Sequence, residues 1–259
     1  MSSTFGACSS YYDRIHRDKD YAREAKYISH LVSQHSCGNA ISLLEPGCGT
    51  AMHACLLAGQ GLVAHGVDAN QSMLTAAGAR IAVDATLSKW VSFQLGDVRS
   101  IRTGSRCDAV ASLFHVVRSQ IADADLNAII AAAAEHVNRG GVFWCGSAVP
   151  WQRPSLRVKR FSDERTSVTR LAEPATGEAA NVADVHYTVF AESGADANVS
   201  KVIETHNTRH LFLPEMDQLL AGHGCARERA EEWLTGATPP TDTWAYVSLP
   251  GKSDQEPAS

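Results

Sequence analysis

Tyr21, Ala25, Ile28, Leu31 and Val32 are apolar positions three and four residues apart, the spacing of one helix face, and they predict a helix over residues 19–34. Gly38 is a suitable stop. The short apolar run 41–44 then predicts a strand that ends in Glu45 and breaks into the turn Gly47-Cys48-Gly49, with a new helix beginning near Met52. A second apolar strand, 62–67, ends at Asp68, and Asn70 is placed to cap a helix running through Ala79. The third strand, 90–94, closes on Leu95-Gly96-Asp97-Val98, and the fourth, 108–113, on Phe114-His115. An alanine-rich helix over 123–137 ends at Asn138-Arg139-Gly140-Gly141, before a fifth strand at 142–145. Strands alternating with helices imply a parallel, doubly wound sheet, whose ligands bind beyond the C-terminal strand ends. Glu45, Asp68, Asp97 and His115 all lie at such ends.

From Pro150 the period changes. The runs 156–161, 167–171, 182–190 and 199–213 read as strands, with polar connectors at 173–180 and 192–198, which is the pattern of an antiparallel meander inserted after the fifth strand. Pro214 opens a helix that reaches Ala221 and stops at Gly222 and Gly224. Residues 226–233 and 243–249 are then a closing antiparallel pair at the sheet edge. The expected organisation is an N-terminal segment and α/β core over 1–150, an inserted substrate-side subdomain over 151–213, completion of the core sheet over 214–250, and a disordered tail over 251–259.

Composition narrows the partners. At 259 residues the chain has room for an ample core. With 23 Lys and Arg among 28 Asp and Glu, a net charge of -5 and a pI near 6.1, it shows no electrostatic footprint for nucleic acid and suits small-molecule work, as a monomer or homodimer. The 7 cysteines are odd in number and never form a CxxC pair, which argues against a disulfide framework or a structural zinc site and for buried, reduced thiols. No apolar run approaches the roughly 20 residues of a spanning helix and no signal pattern opens the chain, so a cytoplasmic protein without a membrane partner is expected.

Two ligand classes fit a glycine turn followed by an acid about 20 residues on: a dinucleotide and S-adenosylmethionine (SAM). A dinucleotide turn, GxGxxG, needs a small third residue where helix packs on strand, and from Gly47 that position holds Met52. An acid followed by GxGxG fits better, with Glu45, Gly47 and Gly49 in place and Ala51 at the last glycine.

The segments Leu44-Glu45-Pro46-Gly47-Cys48-Gly49-Thr50, Gly66-Val67-Asp68 with Ser72-Met73-Leu74, and Gly96-Asp97-Val98 resemble, in order, the motifs of the class I SAM-dependent methyltransferases. The resemblance implies a Rossmann-like, mostly parallel seven-stranded sheet, with an inserted antiparallel β subdomain and an N-terminal helical lid. It implies that Glu45 and the backbone of Gly47, Cys48 and Gly49 hold the methionine moiety, Asp68 the ribose hydroxyls, and Met73 one face of adenine. Asp97 would accept from the adenine amino group, with Val98 beside the ring. Tyr21 resembles an N-terminal tyrosine near the methionine carboxylate, and Ala69, Gly96 and Leu113 complete the cofactor set. Carboxylates and aromatic faces suit a sulfonium cation with two ribose hydroxyls. Tyr11-Tyr12-Asp13 before a lid helix is similar to amino-sugar N-methyltransferases, and Ser112-Leu113-Phe114-His115-Val116 with His210-Leu211-Phe212-Leu213-Pro214-Glu215 is similar to bacterial enzymes of sugar and natural-product pathways.

The expected reaction moves a methyl group from SAM to an oxygen or nitrogen of a small metabolite such as a sugar or nucleotide-linked sugar, leaving S-adenosylhomocysteine. His115 is the candidate base, with Tyr12 as a second catalytic candidate over the site. Tyr11, Phe114, Arg118 and His206 are candidate acceptor-binding residues, Arg118 for a phosphate or carboxylate. Amino-sugar members carry a histidine where this chain has Arg118-Ser119-Gln120, which argues against an amine acceptor. The run Arg157, Lys159, Arg160 reads as a solvated strand face or as a site for an anionic acceptor. His206 and His210, four apart on a strand, lack an acidic cluster to complete a metal site. Two alternatives stand beside methylation: other chemistry with SAM, and a SAM-binding module without turnover.

Overall fold

The computed structural model describes residues 9, 11–35, 41–147, 155–163, 166–177, 181–193, 198–238 and 246–252. It divides into two compact units, one of residues 20–151 with 210–259 and one of residues 1–19 with 152–209. The N-terminal segment therefore groups with the antiparallel strands rather than with the α/β core.

In the larger unit, strands β1 (Ser42–Pro46), β2 (Val63–Asp68), β3 (Val91–Leu95), β4 (Cys107–Ser112) and β5 (Val137–Ser147) pair in parallel, in the order β5-β4-β1-β2-β3. Strands β10 (Cys225–Glu232) and β11 (Tyr246–Lys252) complete a sheet of seven through antiparallel pairings, β11 lying between β5 and β10. The parallel part of the sheet is therefore five strands, and the expectation of a seven-stranded, mostly parallel sheet is corrected to that extent. Because β1 pairs with both β2 and β4, the strand order reverses between β1 and β4, the switch point beyond whose C-terminal strand ends sheets of this kind bind ligands.

The helices follow from their apolar spacing. Helix α2 (Tyr21–His35) buries Ala25, Ile28, Leu31 and Val32 against the core that also holds Leu43, Ala54 and Leu57. Helix α3 (Met52–Ala58) starts straight from the glycine turn. In α4 (Gln71–Val83) the Asn70 side chain accepts from the N–H groups of Ser72 and Met73, as its position suggested. Helices α5 (Asp123–His136) and α6 (Leu213–Ala221) cover the opposite face, where Ile129, Ile130, Phe143, Met216 and Leu220 are buried together. None of the described helices is long and apolar enough to cross a membrane.

Several boundaries differ from expectation. Strand β5 begins directly after α5, at Val137, instead of at residue 142. The residues read as a turn form an irregularity within it, where Gly140 has φ 71° and Gly141 lies so close to the Asp108 carbonyl that a Cβ would approach to 2.7 Å. The tail expected to be disordered from Gly251 still pairs in β11 through Lys252; the remainder, like residues 243–245 of the predicted closing strand, lies outside the described residues. In the smaller unit, β7 runs on to Gly177 through a stretch read as a connector.

That unit is an antiparallel sheet of β6 (Arg157–Ser162), β7 (Thr166–Gly177), β8 (Val182–Ser193) and β9 (Asn198–Arg209), in that order. Pro174 is tolerated in β7 because β6 pairs only as far as Ala172 and leaves that edge open. Strand β9 ends four residues earlier than the predicted 213, so His206 lies on a strand whereas His210 follows it and belongs to the larger unit. The short helix α1 (Tyr12–Ile15) sets Ile15 with Val168, Val189 and Ala191, and Tyr11 and Val202 pack around them.

Candidate active site

Three consecutive motifs meet at the end of β1. Gly47 and Gly49 have φ of 75° and 55°, a left-handed conformation that glycine adopts without penalty, and Ala51 follows at 58°. The N–H groups of Gly47 and Cys48 both donate to the Val67 carbonyl at 2.7 and 3.1 Å, fastening the turn to β2. Gly66 permits this: a Cβ there would lie 2.7 Å from the Cys48 sulfur. Asp68 closes the turn from the other side, accepting from Gly49 N–H at 2.8 Å and from Asn70 N–H at 2.8 Å. Burial raises its pKa against the pull of those N–H groups. The Cys48 thiol is also pushed far up, by burial and then by the Glu45 and Asp68 carboxylates, so it stays protonated and inert.

Glu45 is buried at the end of β1, and His53, in the first turn of α3, stands between it and Glu24 of α2. His53 Nε2 lies 2.9 Å from Glu24 and Nδ1 3.7 Å from Glu45, all three side chains buried. The ring of Tyr21 packs on His53 at 4.9 Å and that of Phe114 at 5.4 Å. Neither Glu24 nor His53 was singled out from the sequence. His53 lies just past the glycine turn, but its partners are 29 and 8 residues away and only the fold assembles them.

The β4 end carries the second half. Leu113 is buried, and Phe114 takes φ 56°, a conformation costly for a bulky side chain and concentrated at functional sites. Its ring meets Trp233 edge-on at 5.7 Å, and Trp233 in turn packs on Trp144 and Tyr27. Ser112 Oγ is buried beneath this end without a hydrogen-bond partner. His115 is exposed, and Arg118 is buried at 4 % exposure with Nη1 3.2 Å from His115 Nδ1 and Nη2 3.4 Å from His210 Nδ1. A guanidinium has donors only, so both Nδ1 atoms accept, and each neutral ring carries its proton on Nε2. His210 is held below its usual pKa, first by burial and then by this guanidinium.

At the ends of β2 and β3, Met73 is buried, Ala69 is exposed, and the Gly96 N–H donates to the Asp68 carbonyl at 3.0 Å. Val98 packs at the edge of the core around Leu44 and Val67. Asp97 is engaged by Arg99, whose Nε lies 2.9 and 3.1 Å from its two oxygens while Nη1 reaches Asp125 at 2.7 Å. That contact depresses the Asp97 pKa. The remaining candidates, Tyr11, Tyr12 and His206, belong to the smaller unit. Tyr11 meets Ser200 Oγ at 3.2 Å, Tyr12 stacks on His16 at 4.4 Å, and His206 Nε2 lies 3.0 Å from Glu204.

A family described as a methyltransferase domain matches residues 43–141, from β1 into β5. A dTDP-3-amino-3,4,6-trideoxy-alpha-D-glucopyranose N,N-dimethyltransferase of Streptomyces venezuelae is 35% identical over 181 residues, covering 67% of this chain and 71% of that protein. The chain belongs to the class I SAM-dependent methyltransferases. A dTDP-3-amino-3,6-dideoxy-alpha-D-glucopyranose N,N-dimethyltransferase of Streptomyces fradiae is 29% identical over 95% of this methyltransferase and 92% of its own length. In structure the methyltransferase is similar to a sugar N-methyltransferase from a Streptoalloteichus species, with a TM-score of 0.77, 22% identity and 97% of both chains covered. It is thus an enzyme that moves a methyl group from SAM to an oxygen or nitrogen of a small molecule, and it sits among the amino-sugar N-methyltransferase-like members of its family.

The residues at the β1 end of this methyltransferase fit SAM. A Cβ built on Gly49 would meet nothing within 4 Å, so the turn leaves open space beside an exposed stretch of backbone. The Asp68 carboxylate holds the Gly49 N–H, the Glu45 carboxylate lies on the strand that leads into the turn, and the Tyr21 ring packs on His53 next to Glu45, acceptors and an aromatic face suited to a cation with hydroxyls. Gly47 faces inward instead: its Cβ would strike the Val116 side chain, so its glycine serves the fold as much as the ligand.

Proposed function

We propose that this methyltransferase N-methylates the amino group of a nucleotide-linked deoxy sugar. The relatives from Streptomyces venezuelae and Streptomyces fradiae act, by their names, on dTDP-linked 3-amino sugars, which supports that acceptor. The observation that carries the choice of nitrogen is the occupation of His115 Nδ1 by Arg118. With its proton on Nε2, His115 donates and does not serve as the base a hydroxyl acceptor would need. A neutral amine brings its own lone pair, and positioning alone supplies up to roughly 7–11 kcal/mol of the barrier.

When bound, SAM supplies the methyl group, made electrophilic by its sulfonium. Tyr21, Glu45 and the Gly47-Cys48-Gly49 backbone are assigned to the methionine moiety, Asp68 and Ala69 to the ribose, and Met73, Gly96, Asp97, Val98 and Leu113 to adenine. The Asp68 oxygens accept from the backbone N–H groups of Gly49, Ala69 and Asn70, and a carboxylate with four lone pairs keeps acceptor capacity for a hydroxyl. Glu24 and His53 act through Glu45, holding its carboxylate in place. Phe114 supplies an aromatic wall on the acceptor side, His115 a donor to an acceptor oxygen, and Arg118 fixes His115. The N-terminal segment with Tyr11 and Tyr12 is assigned the role of a lid, and the antiparallel unit with His206 that of acceptor recognition.

The test is incubation of the purified protein with SAM and dTDP-3-amino-3,6-dideoxyglucose, the acceptor class of the Streptomyces fradiae relative. Mass spectrometry should show S-adenosylhomocysteine in step with singly and doubly methylated amine. SAM binding by calorimetry without any such product would overturn the acceptor, and methylation of the corresponding hydroxy sugar instead would overturn the choice of nitrogen.

A further inference from the structure

We propose that Arg99 is a positioning residue for adenine recognition, holding the Asp97 carboxylate so that its one remaining acceptor direction meets the exocyclic amine; the inference rests on the assignment of Asp97 to adenine above. Asp97 opens a tight turn just past β3. Its carbonyl accepts from Ser100 N–H at 3.0 Å, and its Oδ1 accepts from Arg99 N–H at 2.9 Å. This turn brings the Arg99 side chain back over the carboxylate that opened it. Nε lies 2.9 Å from Oδ1 and 3.1 Å from Oδ2, and Nη2 donates to Oδ2 as well. Nη1 reaches Asp125 in the first turn of α5 at 2.7 Å. One planar guanidinium therefore fixes the plane of the Asp97 carboxylate and ties the end of β3 to the start of α5.

An ordinary surface pair stands nearby for contrast. Arg102 meets Glu135 through Nε at 3.2 Å, on side chains 60 % and 50 % exposed, a kind of contact that contributes little. Arg99 is 28 % exposed and serves two carboxylates with separate nitrogens. An ionised carboxylate offers about four acceptor directions. At Asp97 the backbone N–H and Nε take both on Oδ1, and Nη2 takes one on Oδ2. The direction left over is on Oδ2, and the 40 % exposure of the Asp97 side chain gives a ligand access to it. An exocyclic amine donates and fits this acceptor. An oxo group on the same ring carbon accepts only, and would face a carboxylate. The contact with Arg99 also holds the Asp97 carboxyl below its usual pKa, so that it stays an acceptor.

Calorimetry with S-adenosylhomocysteine and S-inosylhomocysteine, which carry the amine and the oxo group respectively, reads this preference in wild type, Asp97→Ala, Arg99→Met and Arg99→Lys. Wild type should prefer the adenosyl compound. Arg99→Met should weaken it roughly 3- to 30-fold and leave the inosyl compound nearly unchanged, so that the preference falls. If Asp97→Ala loses the preference while Arg99→Met keeps it, or weakens both compounds equally, the positioning role is overturned and the assignment of Asp97 to adenine stands. A preference retained in Asp97→Ala, or absent from wild type, overturns that assignment and the positioning role with it. Should Arg99→Met fail to fold, seen as a lost thermal transition, Arg99→Lys decides, because lysine keeps the charge and lacks the fork: a reduced preference supports the role, and an unchanged one overturns it.

Discussion

The two units place their chemistry in opposite ways. In the parallel unit the candidate residues cluster at strand ends, and much of the work is done by backbone: Gly47, Gly49, Ala51 and Phe114 all take positive φ there. In the antiparallel unit the polar residues Arg170, Tyr187, Glu204 and His206 stand on ordinary extended backbone within strands, and meet across the ladder or, for Glu204 and His206, along one strand. A site built from backbone conformation tolerates little change at its glycines, whereas a site built from side chains on a regular sheet can lose one contact and keep its scaffold. Charges differ likewise. The carboxylates around His53 are buried, whereas the pairs on the outside of β6 are exposed and screened.

The harshest way to break the comparison is Gly47→Val. It places a branched side chain at φ 75° and drives it into Val116, which together should cost about 4 kcal/mol or more. We expect a collapse of the thermal transition along with loss of SAM binding. Gly49→Ala sharpens the point, since its Cβ enters open space and Ala51 already adopts the same conformation next door. This variant should stay folded, at a cost of about 1–2 kcal/mol, and lose SAM affinity; normal SAM binding by calorimetry would place the cofactor elsewhere.

Next in size is His53→Ala, which removes the imidazole between two buried carboxylates and should destabilise by about 3–5 kcal/mol in chemical denaturation. A loss below about 1 kcal/mol would show that Glu24 and Glu45 find other partners. In the antiparallel unit, His16 has a folded pKa of about 4 against 6.5 when unperturbed, so between those values the unfolded chain binds more protons. Its contribution, up to roughly 3 kcal/mol, is complete above about pH 6.5 and is lost as pH falls towards 4. Melting temperatures of wild type and His16→Phe should therefore differ in their pH dependence across this window; parallel curves would sink the assignment. The smallest effect belongs to Lys159→Met, which removes an exposed pair and should change stability by no more than about 1 kcal/mol.

Much of the strand-turn-helix frame of the candidate site was legible because its parts are contiguous in sequence. Glu45 to Ala51 form one strand-turn-helix passage, and Asp68 and Gly96 end neighbouring strands, so local pattern was enough. His53 lay in plain view beside the turn, yet nothing local says that a histidine in a first helical turn will face Glu24 from a different helix. In sequence Arg118 reads as an anion binder, and only the fold sets His115 and His210 at its two nitrogens, the second from 92 residues away. The basic run of β6 stands out by its density of charge, while Arg170, the one basic residue of β7, does not. Boundaries failed where pairing overrode propensity, as in β5, whose glycines lie within a strand because β4 and β11 hold it on both sides.

By itself, then, the sequence determined the alternation of strands and helices, the glycine turn with its following acids, and the change of period at residue 150. These are set by interactions among residues close along the chain, where spacing is geometry. Only the tertiary structure decided that five strands run parallel and two join antiparallel, that the first 19 residues group with the second sheet, and which charged side chain finds a partner. Those outcomes depend on contacts between distant segments. A side chain's burial and pairing are properties of the packed fold, absent from any local window of residues.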